Sequence, residues 1–369
     1  MSGDIRGAGV PPGALAGSAH LFWARRIARR VPIFWGLSVP AAPLGPASVV
    51  GPGLGGRRAW SLATPSWTLE DPRTLERTVA AYREHRAVRP EHRVVFLCAS
   101  PAEVLRLQAH DVPAIFCHQN IMVREERFAV DPAAAKRYDA IYVGKMAPYK
   151  RHALARDVAS LAIIYYQIGR GETDYLAEVR AALPQAEFVN ETWLASGALR
   201  LANPRAEAMA RRMLERRGHV VLPAEAVPAT MNRARVGLAL SEAEGPMYAA
   251  TEYLLCGLPV VTTPSRGGRD FFFDPEFTIT VEPDPEAVRD GVAELIRRAV
   301  PPERIRAATL RRIEHERARL RAFLAALFAA EAIGDEFEES WAALFRGPIW
   351  HWHSAETLLV PSLEAPATG

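Results

Sequence analysis

Apolar and polar positions between Val236 and Thr262 follow a strand, loop, helix, turn, strand pattern. Val236 to Leu240 is apolar and β-prone. Gly245 and Pro246 then interrupt it, and proline suits a first helical turn because the N–H it lacks would have no partner there. The pattern predicts a helix that starts near Pro246 and is ended by Cys256, Gly257 and Pro259. The next run, Leu258 to Thr262, is uncharged and β-branched, as expected of a strand buried on both faces. This is a βαβ unit. A second one is predicted from strands at 93–99 and 113–117 around a helix at 101–110, preceded by a helical stretch at 74–86. A third element set opens with a strand at 138–143, a turn at 144–148 and a helix over the next fifteen or so residues. Shorter strands at 187–190 and 219–222, helices at 175–183, 204–217 and 228–234, an amphipathic helix at 285–298 and a long helical tail from 302 to 345 complete the pattern. Alternating strands and helices over 369 residues predict an α/β protein of two domains.

The charge balance, 45 Lys plus Arg against 42 Asp plus Glu, argues against a large nucleic-acid footprint. The three cysteines, Cys98, Cys117 and Cys256, have no metal-ligand spacing and read as reduced core residues, which places the chain in the cytoplasm. No apolar run is long enough to span a membrane, and residues 1–20, rich in Gly, Ala and Pro, read as disordered. In the following HLFWARRIARRVPIFW, Arg25, Arg26, Arg29 and Arg30 lie among Leu21, Phe22, Trp23 and Ile27. A basic amphipathic helix at 20–35 could lie on an anionic membrane surface; an ordinary surface helix leading into a strand at Val31 to Trp35 is the more economical reading. The glycine-rich GPGLGGRR at 51–58 lacks the spacing of a phosphate-binding loop and reads as a surface loop.

Candidate chemistry gathers in two places. Glu244 lies on the loop after the first strand of the opening unit, and Glu252 about two turns into its helix. Both are therefore expected near the carboxyl ends of the strands, where open α/β sheets bind ligands. The neighbours of Glu252 promise burial, so its carboxylate needs a donor, either ligand hydroxyls or a structural arginine. Lys145 and Lys150 flank the predicted helix start after the strand at 138–143. Free N–H groups and the helix dipole favour an anion there, and two ammonium groups suit a diphosphate.

Glu244-Gly245-Pro246, Glu252 and the run Cys256 to Val261 resemble the E-x7-E segment of the group 1 glycosyltransferases, retaining enzymes of GT-B fold with two Rossmann-like domains facing a cleft. The resemblance implies that Glu252 binds the ribose hydroxyls of a nucleotide-sugar donor and that Glu244 lies against its sugar and phosphates. Gly144 and Lys145, with Lys150, match the family's basic diphosphate element, Lys145 replacing the commoner arginine; Arg151 is a further candidate contact. Gly267 and Gly268 resemble the glycine loop that packs near the donor. Catalytic roles thus fall on Lys145, Lys150 and Glu244, and substrate binding on Gly144, Arg151, Gly245, Glu252, Gly267 and Gly268. No Asp-x-Asp metal element is present, so neither metal nor cofactor beyond the donor substrate is implied.

The resemblance also implies a domain plan: 21–118 as the acceptor-side domain, 119–137 as linker, 138–300 as the donor-binding domain and 301–369 as a helical tail. Asn120 and Phe128 match the family's linker. With only about 118 residues before it, the N-terminal domain looks abbreviated. The family's N-terminal histidine has no clear counterpart among His20, His85, His92, His110 and His118. The expected activity is transfer of a sugar, with retention and without metal, to an acceptor of unspecified class: a glycan, a lipid-linked molecule or a small molecule. A catalytically inactive nucleotide-binding partner protein is the alternative reading. A sugar-nucleotide epimerase is disfavoured, because the two-glutamate helix belongs to transferases. The closing WHWH, 350–353, is expected to pack on the first domain.

Overall fold

In the computed structural model, residues 22–166, 172–195, 222–346 and 351–360 are described. The first half contains β1 (Phe22–Ala28), β2 (Ile33–Ser38), β3 (Ala59–Pro65), β4 (His92–Cys98) and β5 (Ala114–Phe116); the second contains β6 (Tyr138–Lys145), β7 (Leu161–Tyr166), β8 (Ala186–Phe188), β9 (Ala234–Ala239), β10 (Val260–Thr262) and β11 (Thr278–Thr280). A last strand, β12 (His351–His353), returns to the first sheet. The strands form two six-stranded sheets, ordered β12-β1-β2-β3-β4-β5 and β11-β10-β9-β6-β7-β8. The second sheet is parallel throughout; in the first, only β1 runs antiparallel to its neighbours β2 and β12.

Strands such as β7 (LAIIYY) and β4 (HRVVFLC) are near-continuous apolar runs because helices cover both faces of a parallel sheet. Side chains lock the layers together. Gly237 on β9 lets the ring of Tyr253 lie against the sheet, where an added Cβ would be 2.4 Å from the ring, and the Tyr253 hydroxyl accepts from Val143 N at 2.6 Å. A continuous buried cluster runs from Trp35, Leu62 and Leu97 through Ile121 and Phe128 into the second sheet.

The helix Pro302–Ala330 splints the linker between the sheets. Arg306 donates to the carbonyls of Glu125, Phe128 and Leu255. Arg317 donates to Ile121 O at 2.7 Å and grips the Glu125 carboxylate with both terminal nitrogens, each at 2.7 Å. The chain then crosses back through the helix Phe337–Leu344, and β12 pairs with β1. The first sheet thus reaches six strands by recruiting one from the closing segment, which packs on the first domain as expected.

Several expectations are corrected. The basic segment at 20–35 is no helix. Its described residues form β1 and β2, and the four arginines have internal partners. Arg25 donates to the last carbonyls of the helix Phe337–Leu344, Arg26 to Ala28 O and Leu359 O, and Arg29 and Arg30 to Glu339, Glu336 and Asp335. Arg25 and Arg26 are buried. The fifteen-residue helix after Pro148 is also absent. Two single turns, Pro148–Lys150 and His152–Ala155, lead straight to β7, because Arg151 between them takes a left-handed backbone (φ 54°) that breaks the helix. The strand at 187–190 is split into β8 and a helix, Val189–Ala195. The expected disorder at 1–20, the helix expected at 204–217 and most of the strand expected at 219–222 lie outside the described residues.

The first domain carries a buried histidine pair. His92 Nε2 bonds Ser61 Oγ at 2.9 Å, and the His85 ring stands edge-on to it at 4.8 Å. Burial, with His85 and Arg89 adding like charge, pushes the His92 pKa down to about 3. Its folded pKa lies below the unfolded value near 6.5, so the unfolded chain binds the extra proton on acidification. Stability is full above about pH 6.5 and falls towards pH 3, with a limiting slope of about 1.4 kcal/mol per pH unit from this group. Urea midpoints across this window should decline less steeply in His92→Gln than in the wild type; equal slopes would show that His92 does not contribute.

Candidate active site

The carboxyl ends of β6, β9 and β10 meet those of β3, β4 and β5 across the linker, and the candidate residues gather on the loops between them. After β6 the chain turns through Pro148–Lys150, and the Lys150 side chain folds back beneath Gly144, where an added Cβ would lie 3.3 Å from Lys150 Cε. The ammonium donates to Glu244 Oε1 with only 3% of the Lys150 side chain exposed, against 14% for Glu244. The other carboxylate oxygen, Oε2, accepts from Ser241 Oγ at 2.7 Å. Burial lowers the Lys150 pKa, opposed by Glu244 and aided by the charges of Arg269 and Lys145. The Tyr149 ring lies 5.6 Å from the ammonium. His152, buried alongside, is pushed down to about 3 by burial and by the Lys150 charge.

The two sequence motifs about a hundred residues apart thus converge on one buried ion pair. Lys145, half-buried at the end of β6, contributes positive charge to it. The Arg151 guanidinium joins Leu240 O and Thr263 Oγ1, each at 2.7 Å, and ties the ends of β9 and β10. Glu252 is buried on the helix Tyr248–Leu255, as its neighbours promised.

The glycines are set by chain contacts. Gly267 has φ +99°, and an added Cβ would fall 1.8 Å from Glu244 O. This glycine lets its loop close over the backbone of the Glu244 loop. A Cβ at Gly245 would meet Ser66 O at 2.9 Å, and one at Gly268 would meet Ala99 Cβ at 2.4 Å, so both mark points where the two domains touch. His118 completes the junction. It is buried, bonds Gly268 O at 2.8 Å through Nε2 and stacks on Phe271, and burial pushes it down to about 4. His85 and His92 lie away from this junction in their own cluster, His110 is exposed, and His20 lies outside the described residues.

The first domain also supplies contacts that no motif announced. Glu70 Oε1 accepts from Gly267 N at 3.1 Å, and Trp67 meets Tyr149 edge-on at 5.0 Å. Arg269 is wholly buried behind Ser241. Its position directly after the glycine loop was a usable signal; Glu70 and Trp67 carried none. Among the described residues no group of three or more His, Cys, Asp or Glu could hold a metal ion, and Cys98, Cys117 and Cys256 are buried free thiols.

Two parallel sheets whose carboxyl edges face each other across a linker define the GT-B architecture. The structure is similar to that of Alr3699/HepE from Anabaena in complex with UDP (TM-score 0.50, 14% identity, 73% of this chain over 72% of that one). It is also similar to the same protein with UDP and glucose (TM-score 0.52, 12% identity, 72% of each chain). No curated protein matches the sequence. Residues 138–298 match the family model of the Glycosyl transferases group 1.

Removing one member of a buried ion pair leaves the other uncompensated, at a cost of about 3–5 kcal/mol. Glu244→Gln keeps the shape and part of the hydrogen bonding, so the loss in denaturant-measured stability should fall below that range, at about 1–3 kcal/mol; no loss would show that Lys150 has an equal second acceptor. Gly268→Ala should lower stability by about 1–3 kcal/mol through the clash with Ala99, and an unchanged melting temperature would mean that the domain junction yields freely.

Proposed function

We propose that the protein transfers a sugar from a nucleotide-sugar donor to an acceptor hydroxyl, with retention of anomeric configuration and without a divalent cation. The observation that carries this reading is the convergence of Lys150 and Glu244, from two separate motifs, at the carboxyl edge of the part of the chain that matches the group 1 glycosyltransferases. In the reaction the bond from the sugar's anomeric carbon to the diphosphate oxygen breaks and its electron pair leaves with the diphosphate. Lys145 and Lys150 stabilise that developing charge electrostatically. Glu244 orients the donor sugar and Glu252 the ribose, while Gly144, Gly245, Gly267 and Gly268 shape the loops around the donor by letting Lys150, Ser66, Glu244 and Ala99 pack against them.

The acceptor, a glycan, a lipid-linked molecule or a small molecule, enters from the first domain and passes its hydroxyl proton to the departing diphosphate as the new bond forms. No helix among the described residues is long and apolar enough to cross a membrane, and we place the reaction in the cytoplasm. A second reading, a nucleotide-binding partner protein without transfer, draws support from one observation: the Lys150 ammonium is already engaged by Glu244.

Thermal and denaturant unfolding with UDP, UDP-glucose and other nucleoside diphosphates tests the donor site. A donor at about a hundred times its Kd stabilises by about 2.7 kcal/mol. The wild type should show this, and Lys150→Ala and Glu252→Ala should not. Released nucleoside diphosphate, insensitive to chelator, with an NMR signal for the retained anomer, would establish transfer. Stabilisation without product would favour the partner reading, and no stabilisation of the folded wild type by any nucleotide would remove both.

A further inference from the structure

We infer that Arg269 is a positioning residue for the transfer site, fixing the Ser241 hydroxyl and through it the direction of the Glu244 carboxylate that faces Lys150. The inference rests on the transfer reading above and adds a residue to it.

A fully buried guanidinium needs acceptors for all five of its N–H groups. Here they exist. Nε and Nη2 reach Asp270, Nη2 also donates to Thr262 Oγ1 at 2.6 Å and to Thr263 O, and Nη1 donates to Ser241 O at 2.6 Å and Ser241 Oγ at 3.2 Å. The last bond is the informative one. A serine hydroxyl has a single proton. With Arg269 donating to Oγ, that proton points at the remaining neighbour, Glu244 Oε2, at 2.7 Å. The ionised carboxylate can only accept, so the serine is the donor, and Arg269, by holding both Ser241 O and Oγ, fixes where that donor sits.

Glu244 is consequently held at both oxygens, by Ser241 on one and by Lys150 on the other. A purely architectural role would explain the bonds to Thr262 and Thr263, and Arg151 already ties the β9 end to Thr263. It would not explain a bond to a hydroxyl whose other partner is the ion pair. The same guanidinium also adds fixed positive charge beside Lys150, since its charge lowers the lysine pKa. The sequence signal is its place immediately after Gly267 and Gly268.

The test compares wild type with Ser241→Ala, Ser241→Thr, Thr262→Val and Arg269→Lys in the full chain, measuring UDP affinity by calorimetry and UDP release from UDP-glucose, with melting curves to confirm folding. Misplacing a reacting group by about 1 Å can cost about 100-fold in rate. Ser241→Ala and Arg269→Lys should therefore lower kcat about 10- to 100-fold, with UDP affinity and the donor KM changed less than about threefold. Ser241→Thr, which keeps the hydroxyl, should restore most of the rate, and Thr262→Val, which cuts the Thr262 bonds to Arg269 and Ala239 but leaves Ser241 untouched, should keep it. Ser241→Ala at wild-type kcat, or Thr262→Val falling as far as Ser241→Ala, would overturn the inference and leave the transfer reading standing. A wild type that binds UDP and cleaves no donor would remove the transfer reading, and this inference with it.

Discussion

The site is built around an ammonium taken out of water. Lys150 is almost fully enclosed, and a charge in such a position persists only when partners replace its hydration. Glu244 does so, and the demand propagates outward. The carboxylate must be steered, which engages Ser241 and behind it Arg269; the Arg269 guanidinium must itself be satisfied, which fixes the ends of β9 and β10. The turn carrying Lys150 must bend sharply enough to send the side chain back under Gly144, and the left-handed backbone of Arg151 provides that bend. The departure from a helix after β6 thus follows from the same requirement.

The parallel core was legible because its signals are local. Buried strands such as β7 and β9 are short apolar runs, and helices such as Pro72–Val88 and Pro285–Arg298 begin with an aspartate cap followed by proline. Lys150 and Glu244 were found because each lies at the end of such a strand. The errors arose where tertiary partners decide. The pattern around Arg25 to Arg30 fits an amphipathic helix as well as a strand, and only the carbonyls and carboxylates of the helices beyond residue 330 select the strand. Glu70 and Trp67 were invisible for a related reason. Their partners, Gly267 and Tyr149, lie in the other domain, and no spacing within a chain records a contact across a cleft.

The linker between the domains is held as firmly as the site. Arg306 and Arg317 reach its carbonyls from one long helix, while Asn120 Nδ2 donates to Met247 O and Thr251 Oγ1 on the helix that carries Glu252. The linker is thus fastened to the second domain on two flanks.

The recruitment of β12 gives the first domain an unusual assembly order. Phe22 pairs with His353, from opposite ends of the described chain, so loop closure over roughly 330 residues precedes the last ladder of that sheet. Until it forms, β1 is an open edge whose Arg25 and Arg26 lack the acceptors supplied by Leu344 and Leu359. The second sheet, with its strands all between residues 138 and 280, has no such dependence. During synthesis the second domain can reach its native pairing while the first still carries an unpaired edge, the surface through which nascent chains aggregate and chaperones recognise them.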